Sequence, residues 1–261
     1  MVNVLVVGAG ITGATIARRY ADDNHQVTVV DKRGHIAGNC YDYIDEATQV
    51  RVNKYGAHLF HTNNDRVWSF INRFSEWVRW DHRVVASVDD KLVPVPVNMT
   101  TVNMLCGQNI QTQEEMQAWL ESVQVKYEGG PSNGREMALS RVGPDLYQAI
   151  FETYTRKQWD KDASELDASV LARIPVRDNV DDRYFSDRYQ ALPRDGYTAF
   201  VAQMLNGIEV HLDTDFFAMD KTKYDVIIYT GPIDAYFSGK GLPALEYRSI
   251  DFTLERHFDC G

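Results

Sequence analysis

The chain has 261 residues and a formal net charge of −10, with 44% hydrophobic and 25% charged residues. That is long enough for one large domain or two to three small ones, and it is neither a disordered nor a fibrous composition. The acidic balance excludes general binding to nucleic acid or anionic membrane, no run approaches the roughly 18 apolar residues of a membrane span, and no cleavable signal is expected. Cys40, Cys106 and Cys260 are widely spaced and odd in number. They give neither a disulfide framework nor a zinc site, and they suit a reducing cytoplasm.

The apolar run Val4-Leu5-Val6-Val7 leads straight into Gly8-Ala9-Gly10-Ile11-Thr12-Gly13 and then Ala14, Ile16 and Ala17. This is a buried strand, a glycine turn and a helix whose first N–H groups face an anion. A second strand, Val27-Thr28-Val29-Val30, ends on Asp31, where an acid can hydrogen-bond an adenosine ribose. The order of elements predicts a dinucleotide site in preference to an ordinary glycine-rich turn.

After Asp31 comes a turn-rich segment, Lys32-Arg33-Gly34-His35-Ile36-Ala37-Gly38-Asn39-Cys40-Tyr41. His58 and His61 follow, three apart, with no cysteine or carboxylate at ligand spacing. A hydrogen-bonded pair lining a cofactor pocket is expected there, and no metal site. Residues 64–74 predict an amphipathic helix with Val67, Phe70, Ile71 and Phe74 inward. Residues 84–97 predict a hairpin turning at Asp89-Asp90, its prolines confining the second arm to an edge.

Residues 98–159 have a helical texture. Thr112 with Glu115, and Asn133 with Glu136, mark helix starts, while Gly129-Gly130-Pro131-Ser132 and Gly143-Pro144 interrupt. Tyr147, Phe151, Tyr154 and Gln158 share one helical stripe, which by default is core packing. Residues 173–194 hold five arginines and no lysine, together with Asp178, Asp181, Asp182 and Asp187. Either the arginines grip carboxylate or phosphate oxygens, or the loop is laced with Arg–Asp pairs. Gly196-Tyr197 opens a helix that Asn206-Gly207 closes. Residues 208–212 are a short strand, 224–232 an apolar strand returning to the nucleotide-binding sheet, and 249–255 an alternating strand.

These stretches resemble the UDP-galactopyranose mutase family of flavoproteins. The likeness rests on the glycine turn, on Asp31-Lys32-Arg33 through Gly38-Asn39, and on Tyr55-Gly56-Ala57-His58-Leu59-Phe60-His61-Thr62. It rests further on Tyr154-Thr155-Arg156-Lys157-Gln158-Trp159, Arg173-Ile174-Pro175-Val176-Arg177, Arg183-Tyr184-Phe185-Ser186-Asp187-Arg188-Tyr189 and Tyr229-Thr230-Gly231-Pro232. Ala37 stands where the flavoprotein pattern has the first of two glycines. The resemblance implies an α/β fold with a Rossmann-like FAD-binding domain (1–75 plus 197–236). It also implies a helical substrate domain (98–160) and an incomplete antiparallel sheet domain (76–97, 161–196 and 237–261).

The implied reaction interconverts UDP-galactopyranose and UDP-galactofuranose without net oxidation. In the family's mechanism reduced flavin N5 attacks the anomeric carbon and displaces UDP, and the sugar ring opens through an iminium and recloses. The implied partners are FAD, UDP-galactose and a reductant for the flavin, with a homo-oligomer allowed. Gly8, Gly10, Ile11, Thr12, Gly13, Asp31, Lys32, Arg33, Gly38, Asn39, Tyr55, Gly56, His58, Thr230 and Gly231 are implied to hold the cofactor, with His61 beside the flavin as a catalytic candidate. Phe151, Tyr154, Thr155 and Trp159 are implied around the uridine, Arg173 as a mobile-loop arginine and catalytic candidate gripping the diphosphate, Tyr184 on the same phosphates, and His82 near the sugar. Arg177, Arg188 and Arg194 are left as structural ion-pair partners. Family members run on past the position of Gly261 with a second diphosphate-binding arginine, so an incomplete FAD site and a chain inactive alone are expected. An amine-oxidase-like flavin oxidoreductase and a non-catalytic UDP-sugar-binding remnant remain as alternatives.

Overall fold

The computed structural model describes residues 1–245, 247 and 249–258, so Cys260 lies outside it. In chain order the elements are β1 (Asn3–Val7), α1 (Ile11–Asp22), β2 (Gln26–Val30), β3 (Asp42–Ile44), β4 (Arg51–Asn53), β5 (Phe60–Thr62), α2 (Asp65–Ile71) and β6 (Trp77–Arg79). There follow β7 (Val84–Val88), β8 (Lys91–Val95), α3 (Met99–Cys106), α4 (Gln113–Val123), α5 (Gly134–Leu146), α6 (Thr153–Trp159) and α7 (Ala168–Ala172). Last come β9 (Tyr189–Pro193), α8 (Gly196–Leu205), β10 (Glu209–His211), β11 (Val226–Tyr229) and α9 (Ile233–Tyr236). The chain divides into two compact units, Met1–Trp80 with Ala191–Gly261, and Asp81–Gln190. The residues assigned from sequence to an antiparallel sheet domain fall partly in each.

The first unit is built on a parallel sheet in the order β10-β2-β1-β11. The register runs from Val4 to Val27 on one side and to Val226 on the other. Parallel strands covered on both faces read as unbroken apolar runs, which is how β1 and β2 appear in the sequence. The returning strand expected at 224–232 is β11, paired with β1. Helix α1 lies close to the sheet because its inward residues are Gly13, Ala14 and Ala17. Helix α8 adds Phe200, Val201, Met204 and Leu205 to the same core.

The N-terminus of α8 is satisfied from a distant part of the sequence. The buried Asp42 carboxylate accepts the Tyr197 and Thr198 N–H groups at 2.8 and 2.9 Å. Helix α2 begins at the Asn64 cap, and Phe70, Ile71 and, just past it, Phe74 pack inward as expected, joined by Trp68, while Val67 is exposed. Residues 249–255, expected as a strand, form none. Just past them Arg256 donates to Asp45 at 2.6 to 3.2 Å.

The second unit has its own core, centred on Val97, Met116, Leu146, Phe151 and Leu171. Its hairpin β7–β8 turns at Asp89 and Asp90 with φ of 46° and 62°, the left-handed pair that matches strand twist in a two-residue turn. Thr112 and Glu115 complete a reciprocal capping box at α4. Gly143 breaks α5 with φ of 75°, and Tyr147–Glu152 then forms a π-helical turn before α6. That wider turn divides the stripe expected from regular helical spacing. Tyr147 and Phe151 stay in the core, while Tyr154 emerges 52% exposed. Among the described residues no helix is long and apolar enough to cross a membrane.

Candidate functional site

In the first unit the glycine turn is shaped by close approach. Gly8 has φ of 110°, and a side chain there would run into the Thr230 hydroxyl. A Cβ on Gly13 would meet the Gly8 carbonyl, and one on Gly38 would come within 3.0 Å of the Gly10 Cα. Gly8, Gly13 and Gly38 therefore leave a bare backbone cradle facing the start of α1. That helix has no side-chain cap and no acid in its first turn, so the N–H groups of Ile11, Thr12 and Gly13 lack intrahelical partners. Bare backbone, unsatisfied donors and a positive helix end fit the pyrophosphate of a dinucleotide.

Asp31 braces this turn. One carboxylate oxygen accepts the Ala9 N–H at 2.8 Å and the other the Arg33 N–H at 2.9 Å. Each oxygen keeps a second lone pair for a ribose hydroxyl. Ala37, in place of the expected glycine, adopts φ of 68° and donates its N–H to the Ala9 carbonyl at 2.9 Å. It preserves the approach at some backbone strain.

Around the cradle, Arg33 donates to Asn39 at 3.0 Å and lies over the Tyr55 ring. His35, to which the sequence assigned no role, stacks on Tyr41 at 4.0 Å and meets the Ile36 carbonyl and the Tyr55 hydroxyl, both at 2.9 Å. A carbonyl only accepts, so Nδ1 carries a proton and donates it to Ile36. Lys32 is exposed, and Gly231 follows β11 beside Thr230. Gly56 has φ of 93°, His58 contacts its carbonyl at 3.0 Å, and His61 lies exposed on β5. Burial, and after it Asp42, pushes the Cys40 thiol up to about 11, which keeps it from acting as a thiolate nucleophile.

The second unit assembles four of the residues implied for the substrate. The Tyr184 phenol is pushed above its ordinary value by burial and then by the Tyr154 hydroxyl, with Arg173 opposing, so Tyr154 and Arg173 both lie within electrostatic reach of Tyr184. The Tyr184 N–H donates to the His82 carbonyl at 2.7 Å, and their rings meet edge to face at 6.2 Å. The segment carrying Arg173 is held by a backbone ladder, Val97 N–H to Pro175 and Arg177 N–H to Val97.

The Arg–Asp lacing expected of the arginine-rich stretch is present at several of its positions. Arg177 pairs with Asp181 at 3.3 Å, Arg183 grips Asp181 at 2.7 Å, and Arg194 pairs with Glu76. Arg188 lies over the Tyr189 ring. Arg173 makes no ion pair among the described residues, and its Nε reaches only the Val170 carbonyl at 3.3 Å. Two implied contacts have almost no surface to offer: Phe151 is 0% and Thr155 2% exposed. Trp159 is partly buried against the same core.

A family model described as an NAD(P)-binding Rossmann-like domain matches residues 6–74. Fold and glycine cradle together define a dinucleotide-binding protein of the Rossmann-like class. A second model, described as UDP-galactopyranose mutase, matches residues 149–260. The chain is 37% identical over 260 residues to dTDP-fucopyranose mutase of Escherichia coli, covering 97% of this chain and 68% of that protein. It is also 37% identical over 252 residues to a Klebsiella pneumoniae protein named "Probable UDP-galactopyranose mutase", covering 96% and 65%. A crystal structure of reduced UDP-galactopyranose mutase superimposes with a TM-score of 0.70 at 16% identity, covering 91% of this chain and 57% of that one. The chain belongs to the UDP-galactopyranose mutase family, and it spans about two thirds of the length of the curated relatives it matches.

Proposed function

We propose that the chain acts as a UDP-galactopyranose mutase, interconverting UDP-galactopyranose and UDP-galactofuranose without net oxidation, with FAD bound in its reduced form. When bound, the reduced flavin would supply the nucleophile for the anomeric carbon. The backbone cradle at Gly8 to Gly13 takes the cofactor pyrophosphate and Asp31 the ribose. Lys32, Arg33, Asn39 and Tyr55 flank them.

The observation that carries the substrate half is the grouping of Arg173 with Tyr154, Tyr184 and His82. Within the arginine-rich stretch, Arg173 pairs with no acid among the described residues, so its planar donors are available to a diphosphate. Tyr184 is held protonated and donates its O–H to a phosphate oxygen. Charge that develops on departing UDP meets both. Tyr154 offers an exposed ring on which a base can stack.

Equal identity to a dTDP-fucopyranose mutase supports a second reading, in which the nucleotide sugar is dTDP-fucose. The test incubates the chain with dithionite-reduced FAD and either UDP-galactopyranose or dTDP-fucopyranose and follows the furanose form by chromatography. UDP-galactofuranose from the first substrate, with calorimetric UDP binding weakened at least tenfold by Arg173→Ala, is the expected result. Turnover of dTDP-fucopyranose alone selects the second reading. No UDP binding and no furanose from either substrate refutes both.

A further inference from the structure

The residues that follow β2 carry positive charge to the rim of the glycine cradle. Arg33 spends one N–H on the Asn39 side-chain oxygen at 3.0 Å and lays its guanidinium over the Tyr55 ring, 4.9 Å from the centroid. Asn39 adjoins Gly38, whose backbone packs on Gly10, so the Arg33 head group is brought to the edge of the turn from which α1 starts. Lys54 lies over the same ring at 5.6 Å. Neither cation pairs with a carboxylate among the described residues, in a chain whose formal net charge is −10. Two cations gathered on one aromatic ring with no acid to neutralise them suit a ligand that brings its own negative charge.

The Tyr55 ring is itself fixed by His35. The imidazole meets the Tyr55 hydroxyl through Nε2 at 2.9 Å and donates to the Ile36 carbonyl through Nδ1 at 2.9 Å. One of its faces stacks on Tyr41, with centroids 4.0 Å and planes 25° apart. Tyr41 leads into β3 and Tyr55 follows β4, and the Lys54 N–H ties the two ends together by donating to the Tyr41 carbonyl at 3.1 Å. With both nitrogens and one face engaged, His35 has no group left for a ligand, yet it sets where the Tyr55 ring lies.

We propose that His35 is a positioning residue for the dinucleotide: through the Tyr55 hydroxyl it holds the ring on which Arg33 lies, and so keeps Arg33 ready for the pyrophosphate at the glycine cradle. This rests on the reading of that cradle as the FAD site. A long, flexible side chain that must be ordered on binding gives up affinity to lost rotamer freedom, and one already laid on a ring gives up less. Stacking leaves the edge of the guanidinium, with the N–H groups not spent on Asn39, to phosphate oxygens. His35 acts on the cofactor through Tyr55 and Arg33 alone.

The test measures FAD affinity of the whole chain by equilibrium dialysis and flavin absorbance, with thermal midpoints recorded alongside. The variants are His35→Leu, Tyr55→Phe, Arg33→Met and their pairs. His35→Leu and Tyr55→Phe should each weaken FAD about fivefold, together no more than either alone, and neither should cost further affinity once Arg33→Met is present. Attraction between a guanidinium and phosphate is screened by salt, so each single variant should also flatten the fall in affinity between about 50 and 300 mM salt. A loss of packing alone would leave that slope unchanged. His35→Gln, which keeps a polar group for the Tyr55 hydroxyl, should recover part of the loss. A His35→Leu protein with parental FAD affinity overturns the positioning role, as does a loss that adds in full to that of Arg33→Met or an Arg33→Met protein that binds FAD normally. A parent chain that retains no FAD overturns the cofactor reading first, and the proposal falls with it. Should His35→Leu fail to fold, Tyr55→Phe and His35→Gln carry the same comparison.

Discussion

Asp181 illustrates how one carboxylate can hold a loop of competing charges in order. It accepts the Arg183 side chain at 2.7 to 3.2 Å and the Arg183 N–H at 3.1 Å, and it lies 3.3 Å from Arg177. The Arg183 hydrogen bond is the main cause that lowers its pKa from 3.8 to about 2, against an opposing push from burial. A carboxyl that titrates lower when folded contributes stability that is complete above its unfolded value and is lost as pH falls through the folded one. The urea midpoint of Asp181→Asn should therefore lie below that of the parent chain at pH 6. The gap should shrink to about half by pH 3, because the unfolded chain is by then largely protonated while the folded one is not. A gap that stays constant from pH 6 to pH 3 would show that the ion pairs contribute nothing through this group.

At the scale of elements, strands and helices with a clear period were legible and those shaped by a partner were not. The apolar runs of β1, β2 and β11 and the capping residues of α4 and α5 carry their own signals. The three-residue strands β3 to β6 are too short for any period, and the Asp42 cap on α8 joins residues 155 positions apart. The π-helical turn before α6 is the instructive case for the site. Regular spacing put Phe151 and Tyr154 on one face, whereas past the π-helical turn Phe151 is buried and Tyr154 is 52% exposed. Of the implied uridine contacts, Tyr154 is thus the most exposed, while Phe151 and Thr155 are buried and Trp159 is half-buried. Phe151→Ala should lower stability by about 3–5 kcal/mol, the usual loss for an emptied aromatic core position. Tyr154→Ala should change stability by no more than about 0.5 kcal/mol while weakening UDP roughly tenfold, as the loss of a base-stacking ring does. Urea titration and calorimetry on both variants separate the two, and a Phe151→Ala protein of normal stability with lost UDP binding would reverse the assignment.

For the whole molecule, the decisive feature is that one unit is continuous in sequence and the other is not. Residues 81–190 contain every member of the core that joins β8, α3 to α7 and the π-helical turn, along with Arg173, Tyr154, Tyr184 and His82. The parallel sheet, by contrast, needs β10 and β11 from the far end of the chain on either side of β1 and β2. Helix α1 also depends on α8, whose Phe200, Val201 and Met204 join its core. A fragment of residues 81–190 should fold alone with a single cooperative urea transition, since a contiguous chain with its own core meets the conditions for an autonomous domain. If the substrate grouping is complete within that unit, the fragment should also bind UDP and lose that binding with Arg173→Ala. Residues 1–80 alone should not fold, because β1 and β2 would present unpaired edges and an uncovered apolar face. A fragment 81–190 that folds but binds no UDP, when the whole chain does, would show that substrate recognition draws on residues of the first unit. An unfolded fragment would instead show that the core of the second unit is insufficient without the rest of the chain.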